Sequence, residues 1–437
     1  MLKQNHWKKR LAQSLTLGFL VLNTAAVFAA PVELSLDDSI ALALMNNPTI
    51  KIANSDKESA NWGITAAKGA KMPSVSLSHN STHSDSPIVT TNNVQSGGSK
   101  DNFSNNVSLR LPIYSGGGIE AQIEEAKLNY KLNDVGVDKS RQQVKLDTTA
   151  GYYSILGAQN TLKVNQESVD MMQDHLKNVQ AQYGVGVVAK SDVLRSQVEL
   201  ADIQQKQISA QNAYDLAVSN FNNIIGLPLD TEVKLKDELK TGTYALSLDD
   251  SIKYAMAHRP DVAQAEYNID IAKQGVKVAK SGNLPSVDLS ASQGWSDSSF
   301  PGTKDNGWSV GLAASWNVFD SGVTNAKIKQ SDANLTKAML EAQQAKDGYQ
   351  LEVRQYYLSM NEANKRIGSS QVAVEQAQED YKIAGVRYSA GVGTNTDVID
   401  AQVALTTAKT NYIQAMYDYN TSKANLDKAM GVAVAGK

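Results

Sequence analysis

The sequence predicts a mainly α-helical protein with a β-barrel part, each chain supplying two repeats of helix, β-hairpin and long helical hairpin. Three observations predict it. The 437-residue chain repeats itself at a nearly constant offset, its nine prolines avoid two long stretches, and four short stretches alternate apolar with small or polar residues. A constant internal period marks duplicated architecture, proline is excluded from helix interiors, and alternation marks strands.

Residues 1–29 read as an export signal. Met1–Arg10 carries Lys3, Lys8, Lys9 and Arg10 without an acid, Leu11–Phe28 is mostly apolar, and Val27-Phe28-Ala29 precedes the expected cut. That is the three-part pattern of a secretory signal peptide. A membrane anchor is the weaker reading: Gln13, Ser14, Thr16 and Asn23 interrupt the apolar stretch, short of the ~20 apolar residues a spanning helix needs. No other segment offers a membrane helix, so the mature chain is expected beyond the inner membrane, with any span built from strands. Removing the signal takes the formal charge from −3 to near −7, which argues against a nucleic-acid partner, since that would need a basic face. The absence of cysteine excludes disulfides, thiolate clusters and cysteine nucleophiles. Aromatic residues make up only 6%, so a large conventional globular core is not expected.

The structural repeats span 30–228 and 246–437, with a connector at 229–245. Ser35-Leu-Asp-Asp-Ser-Ile40 recurs as Ser247-Leu-Asp-Asp-Ser-Ile252, an offset of 212 that Pro48/Pro260 and Pro73/Pro285 keep. Beyond the first strands the offset falls to 205: Tyr183, Gly186, Asp192, Gln197 and Gly226 match Tyr388, Gly391, Asp397, Gln402 and Gly431. The loss falls between strands, where a loop absorbs it.

Residues 113–227 and 302–437 contain no proline and are rich in Ala, Gln, Lys, Leu and Val, which suits long helices. Leu162, Val169, Met172, Leu176, Val179 and Tyr183 have the spacing of a coiled-coil seam, and Ile367, Val374, Ala377, Tyr381, Ala384 and Tyr388 keep it in the second copy. Gly184-Val-Gly186 and Gly391-Val-Gly393 then break each stretch, and Ser191-Asp192 and Thr396-Asp397 look like fresh helix starts. The first copy thus holds helices at about 38–70, 120–183 and 192–225, and the second at about 249–282, 325–388 and 397–430. At 1.5 Å per residue, two short helices end to end match one long helix of roughly 95 Å, which predicts an antiparallel rod.

Strands are expected at about 74–81, 103–113, 286–295 and 307–319. Val75 and Leu77 alternate with serines, and Val107, Leu109, Leu111 and Ile113 alternate with Asn106, Ser108, Arg110 and Pro112. The second copy repeats the pattern with Val287 and Leu289, then with Trp308, Val310, Leu312 and Trp316. Apolar-out and polar-in segments of this kind are the signature of a membrane β-barrel; taken alone they fit half-buried hairpins in a soluble sheet equally well. The export signal and the missing core favour the barrel. Four strands cannot close one without open edges in lipid, so closure requires other copies. Three copies give 12 strands and room for a lumen, whereas two give eight, whose interior side chains nearly fill the barrel. The loops Thr82–Asn102 and Ser296–Asn306 are expected to face outward.

Leu34–Pro48, its second copy Leu246–Pro260, and Tyr388-Ser-Ala-Gly-Val-Gly-Thr-Asn-Thr-Asp-Val-Ile-Asp-Ala-Gln402 resemble the outer-membrane efflux protein family, the TolC-type factors, over essentially the whole mature chain. The resemblance implies a homotrimer whose 12-stranded outer-membrane barrel continues as a periplasmic α-helical barrel. It implies a passive exit duct of a tripartite efflux pump or type I secretion system, opened by two partners, a periplasmic adaptor and an inner-membrane transporter. By motif position, Asp397 and Asp400 are expected to ring the pore at the inner end, and their i, i+3 spacing puts both on one helix face. An acid in a first helical turn also serves the helix dipole, which competes as an account of Asp397.

The resemblance further implies that links between hairpins hold this end closed, with Tyr388 donating to Asp192. The position five after that tyrosine, often basic in relatives, is Gly393; an Arg195–Asp400 pair is the expected substitute. Gly186 and Gly391, with Val187 and Val392 beside them, are expected to leave flat tips for the adaptor. No cofactor, metal or catalytic constellation is expected. His79 and His83 lie in an extended serine-rich stretch, and Ser115-Gly-Gly-Gly118 lacks the lysine of a phosphate loop. The rival reading is a trimeric periplasmic coiled-coil or adhesin-like protein without a through-pore.

Overall fold

The computed structural model describes residues 32–91, 94–242 and 244–434; the expected signal peptide lies outside them. The first repeat runs β1 (Val32–Leu34), α1 (Leu36–Asn46), α2 (Pro48–Gly69), β2 (Ser74–Thr91), β3 (Val94–Tyr114), α3 (Gly118–Gly184) and α4 (Lys190–Ile225). After β4 (Val233–Leu235), the second runs α5 (Leu248–His258), α6 (Pro260–Ser281), β5 (Ser286–Asp297), β6 (Asp305–Ser315), α7 (Val323–Ser389) and α8 (Asn395–Ala429).

Each short helix expected as one piece, at 38–70 and 249–282, is two. Pro48 and Pro260 open α2 and α6 at their first positions, and a residue before proline is held extended. Asn47 and Arg259 accordingly sit at ψ 126° and 125°, ending one helix and starting the next. The break is used. Asn47 donates to the Ile224 carbonyl at 2.9 Å and Arg259 to the Ala429 carbonyl at 3.1 Å, so α4 and α8 each end against such a junction. Gly226 and Gly431, at φ +77° and +74°, let the chain turn away there.

The four long strands form one antiparallel sheet in the order β2-β3-β5-β6. The pairing of Leu77 with Val107, Val107 with Gln293 and Gln293 with Trp308 places those side chains in one row, and Val75, Leu109, Ala291 and Val310 form the next. Ser76, Ser108, Ser292 and Ser309 make a row on the opposite face, tied by hydroxyl contacts of 2.7 and 2.9 Å. One face is thus an apolar band, with Val75, Leu77, Trp308, Val310 and Leu312 all more than 60% exposed, and the other is hydroxylated. From Val287 to Trp295 the band rises roughly 26 Å along its strand, of the order an outer-membrane barrel requires. Among the described residues, both outer strands, β2 and β6, keep an unpaired edge. No helix among the described residues is long and apolar enough to cross a membrane.

The first hairpin departs furthest from expectation. Thr82–Asn102, read as an outer loop, is ladder through Thr82↔Asn102 and on to Ser86↔Gly98. Backbone pairing needs no apolar face, and cross-strand polar pairs support it, here His79–Asn105 at 2.8 Å and His83–Asp101 at 2.7 Å. The second hairpin stops closer to its expected ends, and β6 ends at Ser315 rather than near 319.

Each repeat has its own core where the helices meet. Tyr152, Ile155, Phe221 and Ile225 fill the first, Val353, Met360, Leu426 and Met430 the second. The Tyr152 hydroxyl donates to Asp237 at 3.0 Å and accepts from its backbone N–H at 3.1 Å, pinning the small parallel sheet of β1 and β4 to α3.

Candidate functional site at the hairpin tips

The helical hairpins reverse at two tips built alike. At the first, the Gly186 and Val187 N–H groups donate to Tyr183 and Gln182 carbonyls at 2.9 Å. At the second, Gly391 and Val392 donate to Tyr388 and Arg387 at 3.0 Å. This closure puts the glycine in the left-handed region, at φ +80° and +72°. No atom lies within 4 Å of where a Cβ would stand on either glycine, so the dihedral and not crowding selects it. Val187 and Val392 project from the turns, 70% and 68% exposed.

The two descending helices start differently. Thr394 and Asp397 form a capping box on α8: the Thr394 N–H donates to Asp397 Oδ2 at 2.9 Å, and the Asp397 N–H donates to Thr394 Oγ1 at 3.1 Å. Hydrogen bonding to the carboxylate from the Thr394 backbone N–H and then from its side chain, with Arg387 nearby, holds the Asp397 carboxyl below the ordinary carboxylate range. Asp397 therefore caps its helix whatever else it does. On α4 the helix begins earlier than expected, at Lys190, and Ala189 supplies no side-chain cap.

Asp397 and Asp400 line one open groove of about 330 Å³ with Asp380, Ile383, Ala384, Arg387 and Ala401. Both acids are exposed. Gly393 packs against the backbone of Arg387 and Tyr388, where a Cβ would approach to 3.0 Å. The nearby basic group is instead Arg387, one α7 turn from the tip, its guanidinium 3.5 Å from the Val392 carbonyl.

Among the expected links, Tyr388 is buried with its ring edge-on to His175 at 5.1 Å, and its hydroxyl has no hydrogen-bond partner. Burial, and then the Asp192 charge, push that hydroxyl above its ordinary pKa; Asp192 is within electrostatic reach but not hydrogen-bonded. Arg195 donates to Thr396 Oγ1 at 2.8 Å and not to Asp400.

A contact the sequence did not disclose joins the two hairpins. Asn395 Oδ1 accepts from His175 Nε2 at 2.7 Å and from Ser196 Oγ at 3.1 Å, while its Nδ2 donates to the Asp192 carbonyl at 3.1 Å. All three side chains are buried. Burial lowers the His175 pKa, and the Asn395 bond offsets it only in part, so the imidazole is neutral at pH 7 with its proton on Nε2. Farther up the same seam, Gln402 donates to the Ser168 carbonyl at 2.8 Å and Lys409 pairs with Glu167 at 2.7 Å. His175 was legible only as one of five scattered histidines, because its partner lies 220 residues away.

The family model described as outer membrane efflux protein matches residues 39–227 and 252–432. Outer membrane protein TolC of Escherichia coli is 25% identical over 404 residues, covering 89% of this chain and 80% of that protein. Alkaline protease secretion protein AprF of Pseudomonas aeruginosa is 24% identical, covering 97% of this chain and 89% of that one. Among solved structures, the Campylobacter jejuni CmeC outer membrane channel superposes with a TM-score of 0.80 at 17% identity, over 91% of this chain and 85% of that one. The Vibrio cholerae outer membrane protein VceC gives 0.77 at 18% identity, over 91% and 96%.

Proposed function

The chain belongs to the outer membrane efflux protein family, and from that premise we propose that three copies complete a 12-stranded barrel and act as one exit duct. It is an outer-membrane protein serving efflux or type I secretion, with its helical part in the periplasm, and its relatives are channels and efflux proteins rather than enzymes. One observation carries the trimer: a four-stranded sheet, apolar on one face and hydroxylated on the other, with both edges unpaired. In lipid such edges are untenable, and two further copies supply the strands that pair them. The hydroxylated face then lines water.

In this reading Asp400, and Asp397 beside it, narrow the inner end with six carboxylates about a threefold axis. Such a ring favours cations. A periplasmic adaptor docks on the tips at Gly186, Val187, Gly391 and Val392, and an inner-membrane transporter supplies the energy. The links proposed to restrain the tip are the Tyr388–Asp192 proximity and Arg195, here through Thr396. Planar-bilayer recording is the test. The purified protein is expected to conduct with cation preference, and Asp400→Asn to move that preference toward parity. A protein that inserts without conducting would remove the duct, and an Asp400→Asn channel of unchanged selectivity would remove the ring.

A further inference from the structure

The repeats are alike in build but not in burial. α3 and α7 each run 67 residues, yet α3 buries 18 of them and α7 only 7. On the descending helices the imbalance is reversed, with 7 residues buried on α4 and 12 on α8. The well-covered pair, α3 and α8, pack on each other inside the chain; α7 and α4 make no comparable contact with one another. Shifting each α3–α8 contact by the 205-residue offset yields an α7–α4 contact that needs a second copy.

That shift changes the chemistry. Inside the chain, Asn395 sits among His175, Ser196 and the Asp192 carbonyl. The equivalent residues on α7 and α8 are Asp380, Ala401 and Asp397, three of those lining the acidic groove, and the equivalent of Asn395 is Lys190. Lys190 and Asp380 are both exposed, and among the described residues neither side chain has a hydrogen-bond or ion-pair partner. Two neighbours follow the same rule. Leu194 is 52% exposed where its equivalent Ile399 is 6% exposed, and Gln197 is exposed where Gln402 is buried.

We infer that the Lys190 face of α4 docks into the α7–α8 groove of a second copy, with the Lys190 ammonium against Asp380. Leu194 and Gln197 are covered by the same movement, as Ile399 and Gln402 are covered within the chain. A neutral amide contact inside the chain is replaced by a charged contact between chains. This docking presupposes the trimer proposed above and adds the residues that hold one tip to the next.

The chain has no cysteine, so Lys190→Cys/Asp380→Cys introduces the only two thiols. A short thiol-reactive cross-linker applied to the detergent-solubilised protein is expected to give covalent dimers and trimers on a denaturing gel, while either single variant stays monomeric. The repeat-related pair His175→Cys/Asn395→Cys is expected to link within one chain without a rise in mass, and reports that the geometry is linkable. A protein that sizes as a trimer, and whose His175→Cys/Asn395→Cys control links, yet gives no interchain product from Lys190→Cys/Asp380→Cys, overturns the docking alone. One that sizes as a monomer in detergent overturns the trimer with it.

Discussion

Replacing Arg259 with methionine tests how the second repeat is tied where its helices break. The guanidinium is buried, with Nε 2.9 Å from Asp261, Nη2 2.6 Å from Glu352 and Nη1 3.1 Å from the Ala429 carbonyl, and it stacks 4.2 Å from the Tyr349 ring. Removing one partner of a buried pair costs about 3–5 kcal/mol, mostly through the charge left behind. Here the orphans keep other partners: Lys139 lies 2.7 Å from Asp261, and Lys428 lies 3.5 Å from Glu352. The cost is therefore expected at the low end, about 3 kcal/mol. Lys139→Met alone removes a half-exposed ammonium and should cost about 1 kcal/mol or less. The double variant leaves Asp261 buried with neither cation. It is expected to exceed the sum of the singles by at least about 1 kcal/mol, the coupling of residues in one network. Urea midpoints from far-ultraviolet circular dichroism in detergent at pH 7, compared at a shared slope, give the three values. Additivity within about 0.5 kcal/mol would refute the reasoning, because Asp261 would then not depend on these two cations.

Two further outcomes concern the glycine turns and the buried histidine. Gly391→Ala has open space around its Cβ and should cost only the left-handed penalty of about 1–2 kcal/mol. Gly431→Ala adds a Cβ 2.7 Å from the Arg259 Cα and should shift the urea midpoint clearly further; equal shifts would contradict the packing of α8 on the α5–α6 junction. His175 is held neutral by burial, which lowers its pKa beneath an unfolded value of about 6.5. As pH falls, the unfolded tip takes up a proton that the folded tip refuses. The stabilisation is therefore complete above about pH 6.5 and declines as pH drops toward the folded pKa. Amide exchange around 172–180, corrected for its intrinsic rate, is expected to quicken on acidification in the parent and not in His175→Gln; identical pH responses would dismiss the role of this imidazole.

What the sequence made legible has a common physical basis. The long helices declare themselves because proline exclusion and seam periodicity accumulate over some sixty residues, and the tips because glycine is the residue that tolerates φ +80° and +72°. Short features carry no such redundancy. Three-residue β1 and β4 contain too few residues for a period, and pair across the connector. The split at Pro48 and Pro260 was hidden because proline suits a helix start as well as a stop. The Ser- and Asn-rich part of the first hairpin has the composition of a loop, yet its ladder bonds need only backbone. At the tips, the family resemblance singled out Asp397, Asp400 and Tyr388, and the repeat offset Arg195, but neither disclosed the partners these side chains have. Thr396 for Arg195 and Asn395 for His175 are matches of shape between distant segments.

The difference between the repeats bears on how a ring of six hairpins would open. Six equal seams would share any opening strain equally. The seam inside each chain, however, is closed by the buried bonds of His175, Ser196 and Asn395, and orphaning a buried polar group costs about 1–3 kcal/mol. The seam proposed between chains is charged and near solvent, where an ion pair is worth about 0–1 kcal/mol and weakens with salt. In the proposed trimer, strain applied at the tips would therefore part the second kind first, and three copies would move apart as units with their internal hairpin pairs intact. Opening along Lys190 and Asp380 should ease as ionic strength rises, whereas opening along His175 and Asn395 would ease as pH falls, and channel recordings at varied salt and pH separate the two.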